Sequence, residues 1–120
     1  MPNELTQRVF QTVDAMEPNS MAELFAADAT MIFANNEPLV GREAIAAGVA
    51  GFFSTINGLQ HRIINDWCVG ADTIIEAEVT YRRLDDKEVS IPAVSIWHTG
   101  DDGLIDHYRV LFDVTPVYAP

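Results

Sequence analysis

Apolar residues recur every three or four positions near the amino terminus, at Leu5, Val9, Val13 and Met16. This spacing predicts an amphipathic helix over residues 4 to about 17. Asn3 is placed to cap the helix at its start. Pro18 is placed to end it, because proline cannot continue helical hydrogen bonding.

A short second helix and a strand are predicted next. Ser20 and Glu23 have the spacing of a capping box, which predicts a helix that ends near Ala26. Residues 30–33 have the composition of a strand, and residues 35–38 that of a turn. A third helix follows Gly41, with its apolar stripe at Ile45, Val49, Phe52, Phe53 and Ile56. We expect Asn57-Gly58 to end it.

The pattern changes from Leu59 onward, where β-rich runs replace helical spacing. These runs cover about residues 60–69, 73–84, 88–99 and 104–114. Connections this short can only join antiparallel neighbours, so the second half is predicted to be an antiparallel meander. Pro92 lies inside the third run and cannot donate to a ladder, so we expect a bulge that bends this strand. The helix-then-sheet order predicts one α+β domain over residues 1–120.

Pairing across the last loop, Gly100–Gly103, divides the strands into two faces. One face carries Ala93, Ser95, Trp97, Asp106, Tyr108, Val110 and Phe112, and the other Val94, Ile96, His98, His107, Arg109, Leu111 and Asp113. A two-residue turn at Asp86-Lys87 would add Glu76, Glu78, Thr80 and Arg82 to the first face. The sequence does not say which face is concave. Because the third run is apolar on both faces, we expect a second copy of the chain to cover the outer face.

The charge narrows the range of partners. A formal net charge of −11 argues against nucleic acid and anionic membrane surfaces, whose phosphates would repel it. The amino terminus has no basic start followed by an apolar signal core, and a single cysteine, Cys68, agrees with a reducing compartment. These features lead us to expect a cytoplasmic protein.

Three segments carry a resemblance to a known family: FAADATMIF, VGREAIAAGVAGFF and the closing GLIDHYRVLFD. With the order of elements, they make the chain similar to the nuclear transport factor 2-like superfamily. Within it, the SnoaL-like polyketide cyclases and the limonene-epoxide-hydrolase branch are most similar. The resemblance implies a cone-shaped, curled sheet packed on amino-terminal helices, a cystatin-like α+β barrel, often dimeric through its outer face. It places these residues on the pocket face: Met31, Phe33, Glu78, Thr80, Ser95, Trp97, Tyr108, Val110 and Phe112.

The catalytic sets that the resemblance implies are not present in this chain. Val110 stands where the cyclases are expected to keep their acid. Glu78 and Thr80 stand where the epoxide hydrolases keep an arginine and an aspartate. The steroid-isomerase branch would need a tyrosine and two acids at the positions of Val9, Phe33 and Ser95.

Glu78 is the remaining candidate for a general base, because a carboxylate desolvated in an apolar cone would have a raised pKa. Tyr108 would then donate a hydrogen bond to a developing enolate, and Thr80 and Ser95 would orient the substrate. The alternative is that Glu78 pairs with Arg82 or faces solvent. The histidines lack metal-ligand spacing, so neither a metal site nor a cofactor is expected.

Three functions follow from these expectations. The first is a homodimeric domain that binds a small, mostly apolar organic molecule, with isomerase, dehydratase or cyclase chemistry through Glu78 as its catalytic form. The alternative is a non-catalytic ligand-binding or dimerisation module that has lost the family's acids. The third is a purely structural partner domain in a larger assembly. Function does not follow from fold, so the site must decide between them.

Overall fold

The computed structural model describes residues 3–120. Its helices are α1 (Glu4–Asp14), α2 (Pro18–Ala22), α3 (Arg42–Phe53) and α4 (Thr115–Tyr118). Its strands are β1 (Phe25–Phe33), β2 (Leu39–Val40), β3 (Gly58–Val69), β4 (Asp72–Arg82), β5 (Glu88–Thr99) and β6 (Ile105–Phe112).

All six of these strands lie in one sheet, in the order β2-β1-β6-β5-β4-β3. β1 runs parallel to β6, and the other neighbouring strands pair antiparallel. The predicted meander is confirmed for β3 to β6, and the strand predicted at residues 30–33 is the end of the longer β1. The sheet is curled but not closed, because β2 and β3 form free edges. The α+β class is confirmed.

The amino-terminal helices begin differently from one another. α1 begins as predicted, with the Asn3 side chain accepting a hydrogen bond from the Thr6 amide at 2.8 Å. It ends at Asp14, earlier than expected. α2 begins at Pro18 and contains Ser20, so the predicted capping box is wrong. Proline takes the starting position because its fixed φ suits the first turn of a helix.

Arg42 joins α3 to the sheet. Its Nε and Nη2 atoms both donate to the backbone carbonyl of Phe25 in β1, at 3.0 and 2.6 Å. The preceding Gly41 has φ of 95°, a conformation that favours glycine. The helix buries Ile45, Val49 and Phe53 toward the concave side of the sheet and ends at Phe53, before the predicted stop.

The pairing of β5 with β6 differs from the predicted register. Trp97 pairs with Tyr108 and Ser95 with Val110, a displacement of two residues that leaves each residue on its predicted face. The register shifts between His98 and Thr99, so Asp106 has no partner in the ladder. Its carboxylate accepts a hydrogen bond from the His98 Nδ1 atom at 2.8 Å. The prediction that Asp106 shares the face of Trp97 is therefore wrong.

β4 faces the opposite way from the prediction. Its buried residues alternate through Thr73, Ile75, Ala77, Val79 and Tyr81. Those residues pair with the concave face of β5, so the set Glu76, Glu78, Thr80 and Arg82 lies on the outer face. The connection is a loop over residues 83–87 rather than a two-residue turn, closed by the Arg83 amide on the Lys87 carbonyl at 2.9 Å. This loop changes the register by an odd number of residues, which exchanges the faces.

Pro92 does not form the predicted bulge. It pairs with Glu78 in a β4–β5 register that continues without a shift, while the β5–β6 ladder starts one residue later, at Ala93 and Phe112. Pro92 therefore lies just outside that ladder, where the amide hydrogen it lacks is not needed. The irregular positions are between Ile63 and Asn65 in β3 and at the end of β5.

Candidate functional site

A small cavity lies between the concave face of the sheet and the helices, with a volume of about 40 Å³. Most of its lining is apolar: Val13, Met21, Met31, Phe33, Val49, Phe52, Phe53, Leu59, Val110 and Phe112. Four side chains with polar groups complete it: His61, Tyr81, Ser95 and Tyr108. This volume is below the roughly 300–1,000 Å³ usual for small-molecule sites, because aromatic side chains fill the space.

Six of the residues predicted for the pocket face line this cavity: Met31, Phe33, Ser95, Tyr108, Val110 and Phe112. They come from β1, β5 and β6, which are adjacent in the sheet. Trp97 is only 1% exposed and lies behind the lining, stacked on Tyr108 with ring centroids 5.5 Å apart. Within residues 3–120, its indole N–H has no hydrogen-bond partner.

Glu78 and Thr80 lie outside the cavity. The Glu78 side chain is 44% exposed on the outer face, and its Oε1 atom lies 3.3 Å from the Arg62 Nη2 atom. The Thr80 hydroxyl lies 2.8 Å from the Ser90 hydroxyl on the same face. The expectation that both point into the cone is wrong, because the 83–87 loop reverses the faces of β4.

Tyr108 and Ser95 form a buried pair of hydroxyl groups. The Tyr108 hydroxyl donates to the Ser95 Oγ atom at 3.1 Å, and both residues are buried. Burial raises the pKa of Tyr108 to about 12, and the hydrogen bond with Ser95 opposes this shift only in part. Tyr108 therefore stays protonated at neutral pH, and its hydroxyl hydrogen can turn from Ser95 Oγ to an acceptor in the cavity. Burial also raises the pKa of Tyr81 above its ordinary value.

His61 is one of two polar lining residues, with Tyr81, that the sequence pattern did not predict for the site. Its side chain is 11% exposed, and its Nδ1 atom lies 2.6 Å from the Asp14 Oδ1 atom. The ring also packs against Phe10, with centroids 4.6 Å apart. The alternation of Leu59, His61 and Ile63 along β3 is the signal that could have placed His61 on the concave face. Asp14 carried no such signal, because its partner is distant in sequence.

A second, larger cavity of about 250 Å³ adjoins the first. Phe33, Phe52 and Phe112 line both, with ring centroids 5.6 to 6.4 Å apart. Its other lining includes Leu39, Gly48 and Val114. The three phenylalanine rings therefore separate the inner cavity from the outer one.

The described part of the chain contains no group of three or more His, Cys, Asp or Glu side chains arranged to hold a metal ion. Cys68 is a free, exposed thiol at the end of β3. Asp113 lies beyond β6, where its carboxylate accepts the Thr115 amide at 3.0 Å. No helix among residues 3–120 is long and apolar enough to cross a membrane.

The fold agrees with the family that the sequence matches. The family model of the SnoaL-like domain matches residues 6–108, and the chain belongs to that family. No functionally curated protein matches the chain.

Solved structures support the same fold. A protein with a ketosteroid isomerase-like fold from Catenulispora acidiphila, in complex with trimethylamine, superposes with a TM-score of 0.88 at 21% identity, covering 98% of this chain and 91% of that one. A SnoaL-like polyketide cyclase from Jannaschia has a TM-score of 0.83 at 20% identity, with the same coverages of 98% and 91%. TerC, co-crystallised with polyporic acid, has a TM-score of 0.82 at 12% identity and covers 94% of this chain and 92% of its own. At these identities the similarity establishes the fold alone.

Proposed function

We propose that this SnoaL-like domain binds a small, mostly apolar organic molecule in the inner cavity. The observation that carries the proposal is the buried Tyr108–Ser95 hydroxyl pair in a lining that is otherwise largely apolar. Small-molecule sites combine such a lining with a few oriented polar groups. Two of the similar structures hold small ligands, trimethylamine and polyporic acid, which supports the same class of partner.

The ligand requires more room than the inner cavity has. Rotation of Phe52 and Phe112 would join the cavities of about 40 and 250 Å³, since both rings line both spaces. The joined space would approach the lower end of the usual range for organic ligands, roughly 300 Å³. Met31 and Val110 would contact the apolar part of the ligand, while Tyr108 would donate to a carbonyl or hydroxyl oxygen.

Cofactor-free isomerase, dehydratase or cyclase chemistry remains part of the proposal, but Glu78 is removed from it. A carboxylate on the outer face, paired with Arg62, cannot reach a substrate in the cavity. The proposed catalytic groups are therefore those of the lining.

The outer face of the sheet supports the proposal of a homodimer. Trp67, Ile74 and Ile96 form an apolar row across three strands, next to the pair of Val94 and Leu111. Trp67 and Leu111 are 48% and 42% exposed. A second copy would bury this row, and Ile96→Glu would then reduce the mass measured by light scattering to that of a monomer. A wild-type monomer at micromolar concentration contradicts the dimer.

The small size of the inner cavity favours a second candidate, a non-catalytic dimerisation module. Thermal-shift measurements with ketones, steroids and polyketide fragments separate the two, because a ligand that binds only the folded state raises the melting temperature. Tyr108→Phe should weaken the stabilisation by a ketone, and Glu78→Gln should leave it unchanged. No stabilisation by any compound favours the module. The cytoplasmic location remains a prediction from the sequence.

A further inference from the structure

We infer that His61 and Asp14 form a proton-transfer pair at the cavity, with His61 as the general base and Asp14 as the residue that positions it. The substrate class is a carbonyl compound with an acidic hydrogen on the carbon next to its carbonyl group. The inference rests on the proposed function of the cavity as a small-molecule site.

The geometry of the pair fixes the orientation of the imidazole. Asp14 is the last residue of α1, and His61 lies in β3. The Asp14 Oδ1 atom lies 2.6 Å from His61 Nδ1, while its Oδ2 atom accepts the backbone amide of His61 at 3.0 Å. Both oxygens are held by one residue, so the carboxylate cannot turn without losing both bonds.

The same contact selects the tautomer. An ionised carboxylate only accepts hydrogen bonds, so His61 Nδ1 carries the hydrogen and Nε2 keeps its free electron pair. The ring lines the cavity and is packed on one side by Phe10. A hydrogen bond from one ring nitrogen to a carboxylate is the usual means of holding a histidine in one tautomer.

The surroundings also place negative charge beside the ring. Asp14 stands at the carboxyl-terminal end of α1, where the helix dipole adds partial negative charge to that of the carboxylate. The His61 side chain is only 11% exposed, so the pair is largely shielded from solvent.

The proposed step balances without an oxidant or a cofactor. The bond between hydrogen and the α-carbon breaks, and the proton forms a bond with His61 Nε2. The electron pair moves to the carbonyl oxygen, and the resulting enolate accepts a hydrogen bond from the protonated Tyr108 hydroxyl. The imidazolium then returns a proton to carbon. Return to a second carbon of a conjugated enolate completes an isomerisation, and return of a hydrogen first exchanged with solvent completes a hydrogen exchange.

The outer face of the sheet contains a second histidine–aspartate contact, which serves as a matched control for the His61–Asp14 pair. His98 Nδ1 lies 2.8 Å from Asp106 Oδ1, the same kind of contact, but the two side chains are 45% and 40% exposed. Neither residue lines the inner cavity. His98→Gln therefore tests the effect of losing a histidine–aspartate contact without touching the site.

The first test needs no ligand. With ¹⁵N-labelled histidine, the nitrogen chemical shifts of neutral His61 should report the Nδ1–H tautomer in the wild type. In Asp14→Asn, the amide oxygen can keep the backbone bond and the amide nitrogen would face Nδ1, so the tautomer should change to Nε2–H. A wild-type His61 in the Nε2–H tautomer overturns the inference.

The second test measures the chemistry. Cyclohexanone and acetophenone are screened for binding by the methyl signals of Met21 and Met31, which line the cavity. Exchange of the α-hydrogens of a bound ketone in D₂O is then followed by NMR. His61→Gln and Asp14→Asn should slow exchange by about 100-fold or more, the usual size of a general-base contribution. His98→Gln should leave it unchanged, and His61→Gln should still bind the ketone.

The outcomes separate the two proposals. A ketone that binds but exchanges no faster than in buffer, or equally fast with His61→Gln, overturns the role of the pair and leaves the binding function standing. If neither ketone nor any compound of the thermal-shift panel binds, the proposed function fails and this inference fails with it.

Discussion

The Asp14 carboxylate contacts His61 through both of its oxygens, one on the ring nitrogen at 2.6 Å and one on the backbone amide at 3.0 Å. This double contact ties the end of α1 to the start of the meander. In the proposed mechanism, the same contact orients His61 as the general base of a largely apolar cavity. Stability and chemistry at this site should therefore depend on the same residue.

Asp14→Ala is predicted to lower the free energy of unfolding by about 1–3 kcal/mol, because it leaves the His61 amide without its acceptor. Asp14→Asn should cost less, since the amide oxygen can still accept the backbone hydrogen bond. Urea denaturation measures both, and Glu17→Ala, at an exposed position, is the control. Equal stability of Asp14→Ala and wild type would contradict the structural role of the contact.

Trp97 is predicted to tolerate phenylalanine better than alanine. Its ring is buried against Tyr108 and Phe10, but its indole N–H has no partner within the described residues, so Trp97→Phe loses no hydrogen bond. Trp97→Ala should cost about 3–5 kcal/mol through the cavity it leaves. Thermal and chemical denaturation of both variants provide the comparison. A phenylalanine variant as unstable as the alanine variant would show that the indole N–H is bonded in solution.

Two glycines of α3 should respond oppositely to alanine. Nothing lies within 4 Å of a Cβ atom added to Gly51, so Gly51→Ala should stabilise the protein, by about 0.5–1 kcal/mol from helix propensity. A Cβ atom added to Gly48 would overlap the Leu39 Cδ1 atom. Gly48→Ala should therefore gain less or lose stability, because Leu39 must move. Melting temperatures of the two variants test this, and a larger gain for Gly48→Ala contradicts the packing.

His98 is predicted to titrate above the ordinary histidine value. The hydrogen bond to the Asp106 carboxylate raises its pKa, and exposure to the charges of Asp106 and Asp72 adds to the shift, while desolvation opposes it. The folded state therefore holds the His98 proton more tightly than the unfolded state does. The resulting stabilisation is complete below the unfolded pKa and is lost as pH rises through the folded pKa.

NMR titration of wild type and Asp106→Asn measures this effect directly. The His98 midpoint should fall in the variant toward the ordinary value of about 6.5. The variant should also lose more stability at acidic pH than at alkaline pH. An unchanged midpoint would show that Asp106 does not hold the His98 proton.

The sequence predicted the elements well, because their signals are local. The cap at Asn3, the start of α3 after Gly41 and the four strands of the meander each depend on residues close in the chain. The pairing of β5 with β6 is displaced by two residues from the prediction. Ser95, Trp97, Tyr108 and Val110 still share their predicted face, because side chains alternate with a period of two, whereas Asp106 at the register shift does not.

The site could be predicted only where the predicted register between paired strands differs from the true one by an even number of residues, since this keeps each side chain on its face. The prediction agrees with the structure for four residues of the cavity, because the β5–β6 pairing is displaced by an even number of residues. These are Ser95, Tyr108, Val110 and Phe112. The prediction for Glu78 is wrong because the 83–87 loop changes the β4–β5 register by an odd number of residues. No residue pattern in the loop indicates this change. The contact between Asp14 and His61 joins a helix end to a strand, and long-range contacts of this kind leave no periodic trace in a sequence.

The measurement that tests the central claim most directly is NMR of ¹³C-methyl methionine during titration with small ketones. Met21 and Met31 line the inner cavity, whereas Met16 lines a groove elsewhere on the surface and serves as an internal control. A cavity that binds the ketone should shift and saturate the Met21 and Met31 signals and leave Met16 in place. Signals of Met21 and Met31 that stay unmoved, or that move only together with Met16, would contradict a small-molecule site inside the fold.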